Sequence, residues 1–446
     1  MLRLVPTYAA QLAPEQNRTR LQLVGLGVPN APASLRGSVV IHVDANGTPG
    51  RRLCASTLID YVVRLDPLVG ELIVDADGAD ELIGDLPDRF PLAVSTCTDA
   101  PSADVAVSIG APRRGCDLIV DAAGWLASVD ELVESRDDGN PIGPLAAAAL
   151  GAGEVFKLLF RRRLSDLPFT RRLVPHHGVF SLYSYHFDRL SPALPPVPID
   201  AILVGAGGVG AGILAAFAHM RHLISGRLAV IDADRLDWTN LNRVTYATVA
   251  GARTHALKVD VATAYMAGRV PALTIEPVPS EYKQFARRVP ARRDRHYPLV
   301  LTALDDDDVR WQVQRDLPRT LIDAATGVAA NCRVERVLFG RNGCLGCSRP
   351  PGQTGARARP DGNCDAPPDP HAPSISFLSG FAGTLAAAEA IKVMIAPDDA
   401  LDGYFEHLFP YGVNPEQRGA PALHPCCPVD CRNPTVLQAF ADKWPT

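Results

Sequence analysis

The stretch Ala201-Ile202-Leu203-Val204-Gly205-Ala206-Gly207-Gly208-Val209-Gly210 passes from an apolar run into a glycine-rich turn, and a helix-forming sequence follows to about Ile224. A strand buried on both faces of a parallel sheet reads as a continuous apolar run. Glycines placed directly after it let the backbone approach a phosphate at the N-terminus of the next helix. The following segment, Gly226 to Asp234 (GRLAVIDAD), reads as a second strand. Strand, glycine turn, helix and strand in this order predict an α/β fold with a doubly wound, Rossmann-like sheet. The turn by itself fits ATP, a nicotinamide or a flavin; in the nicotinamide case Asp232 or Asp234 would hold the ribose.

The same succession occurs earlier in the chain. Ser38 to Asp44 (SVVIHVD) is followed by the turn Ala45 to Gly50, a helical stretch from Arg51 to about Leu65, and Gly70 to Asp77 (GELIVDAD). Further on, the Ala-rich helices Pro144 to Lys157 and Gly383 to Met394 each bear a Glu-x-x-Lys, at Glu154 and Lys157 and at Glu389 and Lys392. A two-fold internal repeat follows. The proline-dense segment Ser191 to Ile199 reads as a linker between a half over residues 1–190 and a half over residues 200–446. A second proline-rich stretch, Ser348 to Pro373, predicts an exposed, mobile loop. The first half has no glycine loop.

With 446 residues, 47% of them hydrophobic and 21% charged, the chain has globular composition and can bury a large core without disulfides. A net charge of -5 argues against nucleic acid as the main ligand. No uncharged apolar run reaches a bilayer span, and the N-terminus lacks a long apolar signal region, so the expected location is cytoplasmic. Cys54, Cys97, Cys116 and Cys332 are scattered, whereas Cys344, Cys347, Cys364, Cys426, Cys427 and Cys431 crowd the last quarter. In a reducing compartment that clustering indicates metal ligation or thiol chemistry.

After the second strand come Asn240-Leu241-Asn242-Arg243, then Lys258, then Asp305-Asp306-Asp307-Asp308-Val309-Arg310. Taken with the glycine turn and Asp232-Ala233-Asp234, this resembles the ThiF/MoeB and ubiquitin-activating enzyme superfamily, in which GxGGxG, D-x-D, N-L-x-R, a lysine and D-N-x-x-x-R follow in that order. The resemblance implies that Gly205, Gly207, Gly208 and Gly210 form the nucleotide loop and that Asp232 binds the ribose. It gives Asn240, Arg243 and Lys258 to the phosphates of ATP and Asp305 to a magnesium ion. Asp306 replaces a frequent Asn, and Val244 a frequent Gln. The residue chemistry agrees with an adenylation site: a guanidinium takes phosphate oxygens bidentately, an ammonium is a compact charge, and magnesium prefers carboxylate oxygen.

The resemblance further implies an inactive half fused to an active one, a pseudo-dimer that activates the C-terminal glycine of a ubiquitin-like or β-grasp carrier protein, with a conjugating enzyme as a possible later partner. Arg18 or Arg20 would be the arginine lent by the first half. Cys364, in the crossover loop 348–373, would take the acyl group as a thioester. Cys344 and Cys347, with Cys427 and Cys431, form two knuckles for a structural four-thiolate zinc, Cys426 being an alternative to Cys427. Two other readings stand beside this one: an adenylyltransferase for a sulfur-carrier protein or a ribosomal peptide, without a thioester, and an NAD-dependent oxidoreductase.

Overall fold

A computed structural model describes the chain except residues 13–15, 26–35, 45–46, 99–101, 137, 166–169, 289–297, 328–329, 340–342, 351–373, 412–417, 426 and 445–446. The apolar run before the glycine turn is a strand, β9 (Val197–Val204), which begins inside the stretch read as linker. The helix after it, Gly208–His219, ends before the expected Ile224 because that residue already opens the next strand, β10 (Ile224–Ile231). Parallel strands β11 (Leu273–Val278), β12 (Leu299–Thr302) and β13 (Thr320–Gly327) and antiparallel strands β14 (Asn331–Val337), β15 (Tyr404–Leu408) and β16 (Arg418–Gly419) complete a sheet of order β11-β10-β9-β12-β13-β14-β15-β16 among the described residues.

The first half builds a second sheet from β1 (Leu2–Pro6), β2 (Gly37–Val43), β3 (Val69–Asp75), β4 (Leu92–Thr96), β5 (Val105–Ile109), β6 (Leu118–Ala123), β7 (Leu126–Val129) and β8 (Gly178–Ser181). Its order is β4-β1-β3-β2-β5-β6-β7-β8. The run β3-β2-β5-β6-β7-β8 matches β10-β9-β12-β13-β14-β15 strand for strand: three parallel pairings followed by two antiparallel ones. The repeat legible in the sequence is therefore a repeat of topology. Helix Pro49–Val63, started by the Thr48 side chain accepting from the Arg51 amide, occupies the place of Gly208–His219.

The Ala-rich helices Ile142–Arg163 and Ser376–Ile395 join the halves. Both are long and apolar enough to cross a membrane by composition, yet 94% and 83% of their apolar windows are buried inside the protein. They face each other, with Phe156 against Phe377 at 5.9 Å between ring centroids, and side chains of both halves form one continuous core. The small residues that gave the sequence its Ala-rich look let these helices approach closely. The opposite face of the second sheet carries a separate cluster of Trp311, Leu345, Val429 and their neighbours, backed by the helix Pro434–Lys443. Two Glu-x-x-Lys pairs are buried ion pairs: Glu154 with Lys157, and Glu389 with Lys392.

Candidate active site

At the C-terminal end of β9 the chain turns sharply: Gly205 has φ +96°, where a side chain would be strained, and a Cβ there would lie 2.5 Å from the carbonyl oxygen of Ala303. The turn is thus pressed against the segment leaving β12. Gly207, which caps the helix Gly208–His219, has nothing within 4 Å of its Cβ position and so faces open space. A Cβ on Gly208 would meet Ser379 Oγ at 2.8 Å, which fixes the N-terminus of Ser376–Ile395 beside the loop. Two helix N-termini therefore meet beside the glycine loop, a favourable field for an anion.

Asp232 follows β10, and its carboxylate accepts from the amides of Ala206, at 2.7 Å, and Asp234, at 2.8 Å. Burial pushes the carboxyl up; Lys258 and the two amides pull against that. Lys258 opens the helix Lys258–Met266; its amide donates to the Asp234 carbonyl at 3.0 Å and its Nζ lies 2.6 Å from Asp234 Oδ2. Its side chain is 10% exposed, so the ammonium is held against Asp234 rather than free in solvent.

Asp237 and Asn240 form a reciprocal cap. The Asp237 carboxylate accepts from the Thr239 amide and the Asn240 side chain accepts from the Asp237 amide, both at 2.9 Å. That explains the Asp and Asn three apart, since the cap turns the chain so that Arg243 follows on the loop side. Arg243 donates to the Thr239 carbonyl at 2.6 Å and to Asn242 Oδ1 at 3.1 Å, and its Cγ lies 3.3 Å from the Cβ position of Gly208. Asp305 is exposed just beyond β12, with no hydrogen bond or ion pair among the described residues. Asp306 caps the helix Asp307–Arg315, accepting from Asp308 at 2.8 Å. The acidic run is thus the unpaired, exposed Asp305 followed by a helix start at Asp306, with Asp308 exposed in its first turn. Arg310 is buried and bonded to Asp323 and Asp307, at 3.0 and 2.8 Å, a structural role.

Gly205, Gly207, Gly208, Asp232, Asn240, Arg243, Lys258 and Asp305 are brought to one end of one sheet, with Gly210 packed beneath the turn against the Gly205 carbonyl. The ThiF family model matches residues 199–428, just over half of the chain. The chain belongs to the ThiF family. Members of this family are adenylyltransferases. No curated protein matches the chain. Solved structures similar to it include E. coli MccB with ATP, at 14% identity and TM-score 0.39, covering 70% of this chain and 97% of that one. The microcin C7 biosynthetic enzyme MccB in complex with N-formylated MccA matches at 13% identity and TM-score 0.40, with 70% and 97% covered. PaaA matches at 14% identity and TM-score 0.34, with 58% and 68% covered.

In the second half, the Sγ atoms of Cys344, Cys347, Cys427 and Cys431 all lie within 4.8 Å of one another. Cys344 and Cys427 are 3.4 Å apart, Cys347 and Cys431 3.5 Å, and Cys427 and Cys431 3.8 Å. A tetrahedral zinc with Zn–S near 2.3 Å needs sulfur separations of roughly 3.8 Å, so the donor set fits that ion. Cys427 takes the fourth place; Cys426 and Cys364 lie outside the described residues, and Arg18 is described in its backbone only.

The corresponding end of the first half is occupied by its own ion pairs. Asp75, the counterpart of Asp232, is bound by His42 Nδ1 at 2.7 Å and Arg113 at 2.9 Å. Arg51 clamps Asp121 through two bonds of 2.8 and 2.9 Å, and its Cδ lies 2.7 Å from the Cβ position of Gly110. Sequence reasoning missed Ser379 and Asn242, which contact Gly208 and Arg243, and Asp323, which holds Arg310. Asp323 had a signal: Ile119-Val120-Asp121-Ala122-Ala123 repeats as Leu321-Ile322-Asp323-Ala324-Ala325.

Proposed function

We propose that this chain uses ATP to adenylate the C-terminal carboxylate of a peptide or small protein. The observation that carries the reading is the pairing of an open glycine loop with two anchored cations, Arg243 and Lys258, at one sheet end, while the matching end of the first half is filled by Arg51 with Asp121 and by His42 with Asp75. A carboxylate oxygen of the substrate attacks the α-phosphorus, one phosphorus–oxygen bond forms, the bond to the β-phosphate breaks, and pyrophosphate leaves. The carboxylate is already ionised at neutral pH, so no base is needed. Asp232 binds the ribose, and Asn240, Arg243 and Lys258 hold the phosphates in line for the attack. Asp305 supplies the exposed carboxylate for a magnesium ion, whose chemistry there is to neutralise the leaving pyrophosphate. The four cysteines hold a zinc of structural type, with no open position for substrate.

The test is exchange of radiolabelled pyrophosphate into ATP, dependent on an added peptide or β-grasp protein. Exchange that disappears in Arg243→Ala supports the proposal. Tight NAD binding with no exchange against any carboxylate partner would sink it.

The fused, topologically repeated halves favour a second, more specific reading: a ubiquitin-like carrier is the substrate and Cys364 takes the acyl group from the adenylate, releasing AMP and forming a thioester. A thiol-sensitive carrier adduct absent from Cys364→Ala supports it. Unchanged product formation by that variant leaves peptide or sulfur-carrier adenylation as the function.

A further inference from the structure

The first half reaches across the seam to the segment that carries Asn240 and Arg243. Arg64, fully buried at the end of the helix Pro49–Val63, bonds Asp60 Oδ1 at 2.6 Å and donates to the carbonyl of Leu241. Arg89 bonds the other oxygen of Asp60 at 2.6 Å and donates to the carbonyl of Thr245 at 2.8 Å. The Arg64 carbonyl accepts from Thr19 Oγ1, which in turn accepts from Asn242 Nδ2, each at 3.3 Å. Residues 241 to 245 are therefore gripped at three points from the first half, and the Tyr246 hydroxyl donates to the Ala206 carbonyl of the glycine loop.

A buried guanidinium is costly unless its donors are directed, and apolar packing would join two halves at less cost. What the guanidinium adds is direction: a planar fork fixes the carbonyl it meets. We infer that Asp60, Arg64 and Arg89 are positioning residues for the phosphate-binding segment 240–243, so that the half without a glycine loop sets the geometry of the half that has one. This rests on the adenylation reading above.

The test measures MgATP and AMP binding to the full chain by calorimetry. Arg64→Met is expected to weaken MgATP roughly tenfold or more while AMP, held by the glycine loop and Asp232, changes by less than about twofold. Arg64→Lys, which keeps the charge beside Asp60 but not the fork, is expected to fall between. Arg89→Gln, at a less enclosed site, carries the same comparison if Arg64→Met does not fold. Tyr183→Phe removes another bond across the seam, to Asp399, and should leave both affinities unchanged. Equal loss of MgATP and AMP, loss of neither, or the same selective loss in Tyr183→Phe overturns the inference. A wild-type chain that binds no MgATP overturns the adenylation reading itself, a distinct result.

Discussion

Lys258 is tied twice to Asp234, through its amide to the carbonyl and through its ammonium to the carboxylate. The ammonium is thus held before any phosphate arrives, and a phosphate group must compete with a carboxylate that is 69% exposed and so weakly held in place itself. Lys258→Ala should lower kcat/KM for pyrophosphate exchange about a hundredfold, whereas Asp234→Asn should cost roughly three- to tenfold through a less oriented lysine. Exchange kinetics over a range of ATP concentrations separates them; equal losses in both variants would contradict this ordering.

The helix Gly208–His219 lies so close to Ser376–Ile395 that a Cβ on Gly383 would overlap the carbonyl oxygen of Val209. Backbone cannot step aside as a flexible side chain can. Gly383→Ala is expected to destabilise the chain by about 2 kcal/mol, and to weaken nucleotide binding because the displaced turn is the glycine loop itself. Denaturant titration and calorimetry together test it, and a variant of wild-type stability would refute the overlap.

Two buried histidines give the stability a pH dependence. Burial, reinforced by Lys157 and His177, pushes the His176 ring down to about 3, and burial pushes His407 well below its ordinary value. Above pH 6.5 both rings are neutral in folded and unfolded chains; below it the unfolded chain takes up protons that the folded one refuses, so stability falls as pH drops. Asp66 acts in the opposite sense: burial raises its carboxyl to about 6, so the folded chain takes up that proton first and gains stability as pH falls below 6. Neither ring nitrogen of His176 has a hydrogen-bond partner among the described residues. His176→Phe, which removes a titration without removing a bond, should flatten the loss between pH 7 and pH 5 in denaturation midpoints; an unchanged slope would refute the assignment.

The cysteine cluster anchors the last described stretch. Cys431 sits just before the helix Pro434–Lys443, and Trp444 donates to the Leu317 carbonyl at 2.8 Å. The purified chain should contain about one zinc, and Cys347→Ser should lose most of it. Residues 421–444 should then become the first site of protease cleavage while the first half keeps its protection. Metal analysis and limited proteolysis check both, and full metal content in Cys347→Ser would exclude it as a ligand.

Much of the second half was legible because its elements obey local rules. Val197–Val204 is apolar throughout its last four residues, Gly205 needs a positive φ, and Asp237 with Asn240 makes a cap that can be read three residues apart. The Cys344 and Cys347 spacing is equally local. The seam was not legible. Asp60 and Arg64 look like an ordinary ion pair on an exposed helix face, four residues apart, and only the approach of Leu241, far along the chain, turns them into a buried grip. Arg310 was legible as the last residue of the acidic motif, but not its partner: only the fold brings Asp323 against it and makes it structural. The helix after the glycine loop was drawn too long because Met220 to Leu223 are compatible with helix, and it is the start of β10 that ends it.

The shared core has a consequence for how the chain is made. Helix Ile142–Arg163 leaves the ribosome long before Ser376–Ile395 exists, so its Ala-rich, Phe-bearing face must wait without its mate while the linker and strands β9 to β14 of the second sheet are synthesised. A nascent first half with that face bare is a client for chaperones and a seed for aggregation. Expressed alone, it should be recovered insoluble, and supplying the second half on a separate chain should rescue it.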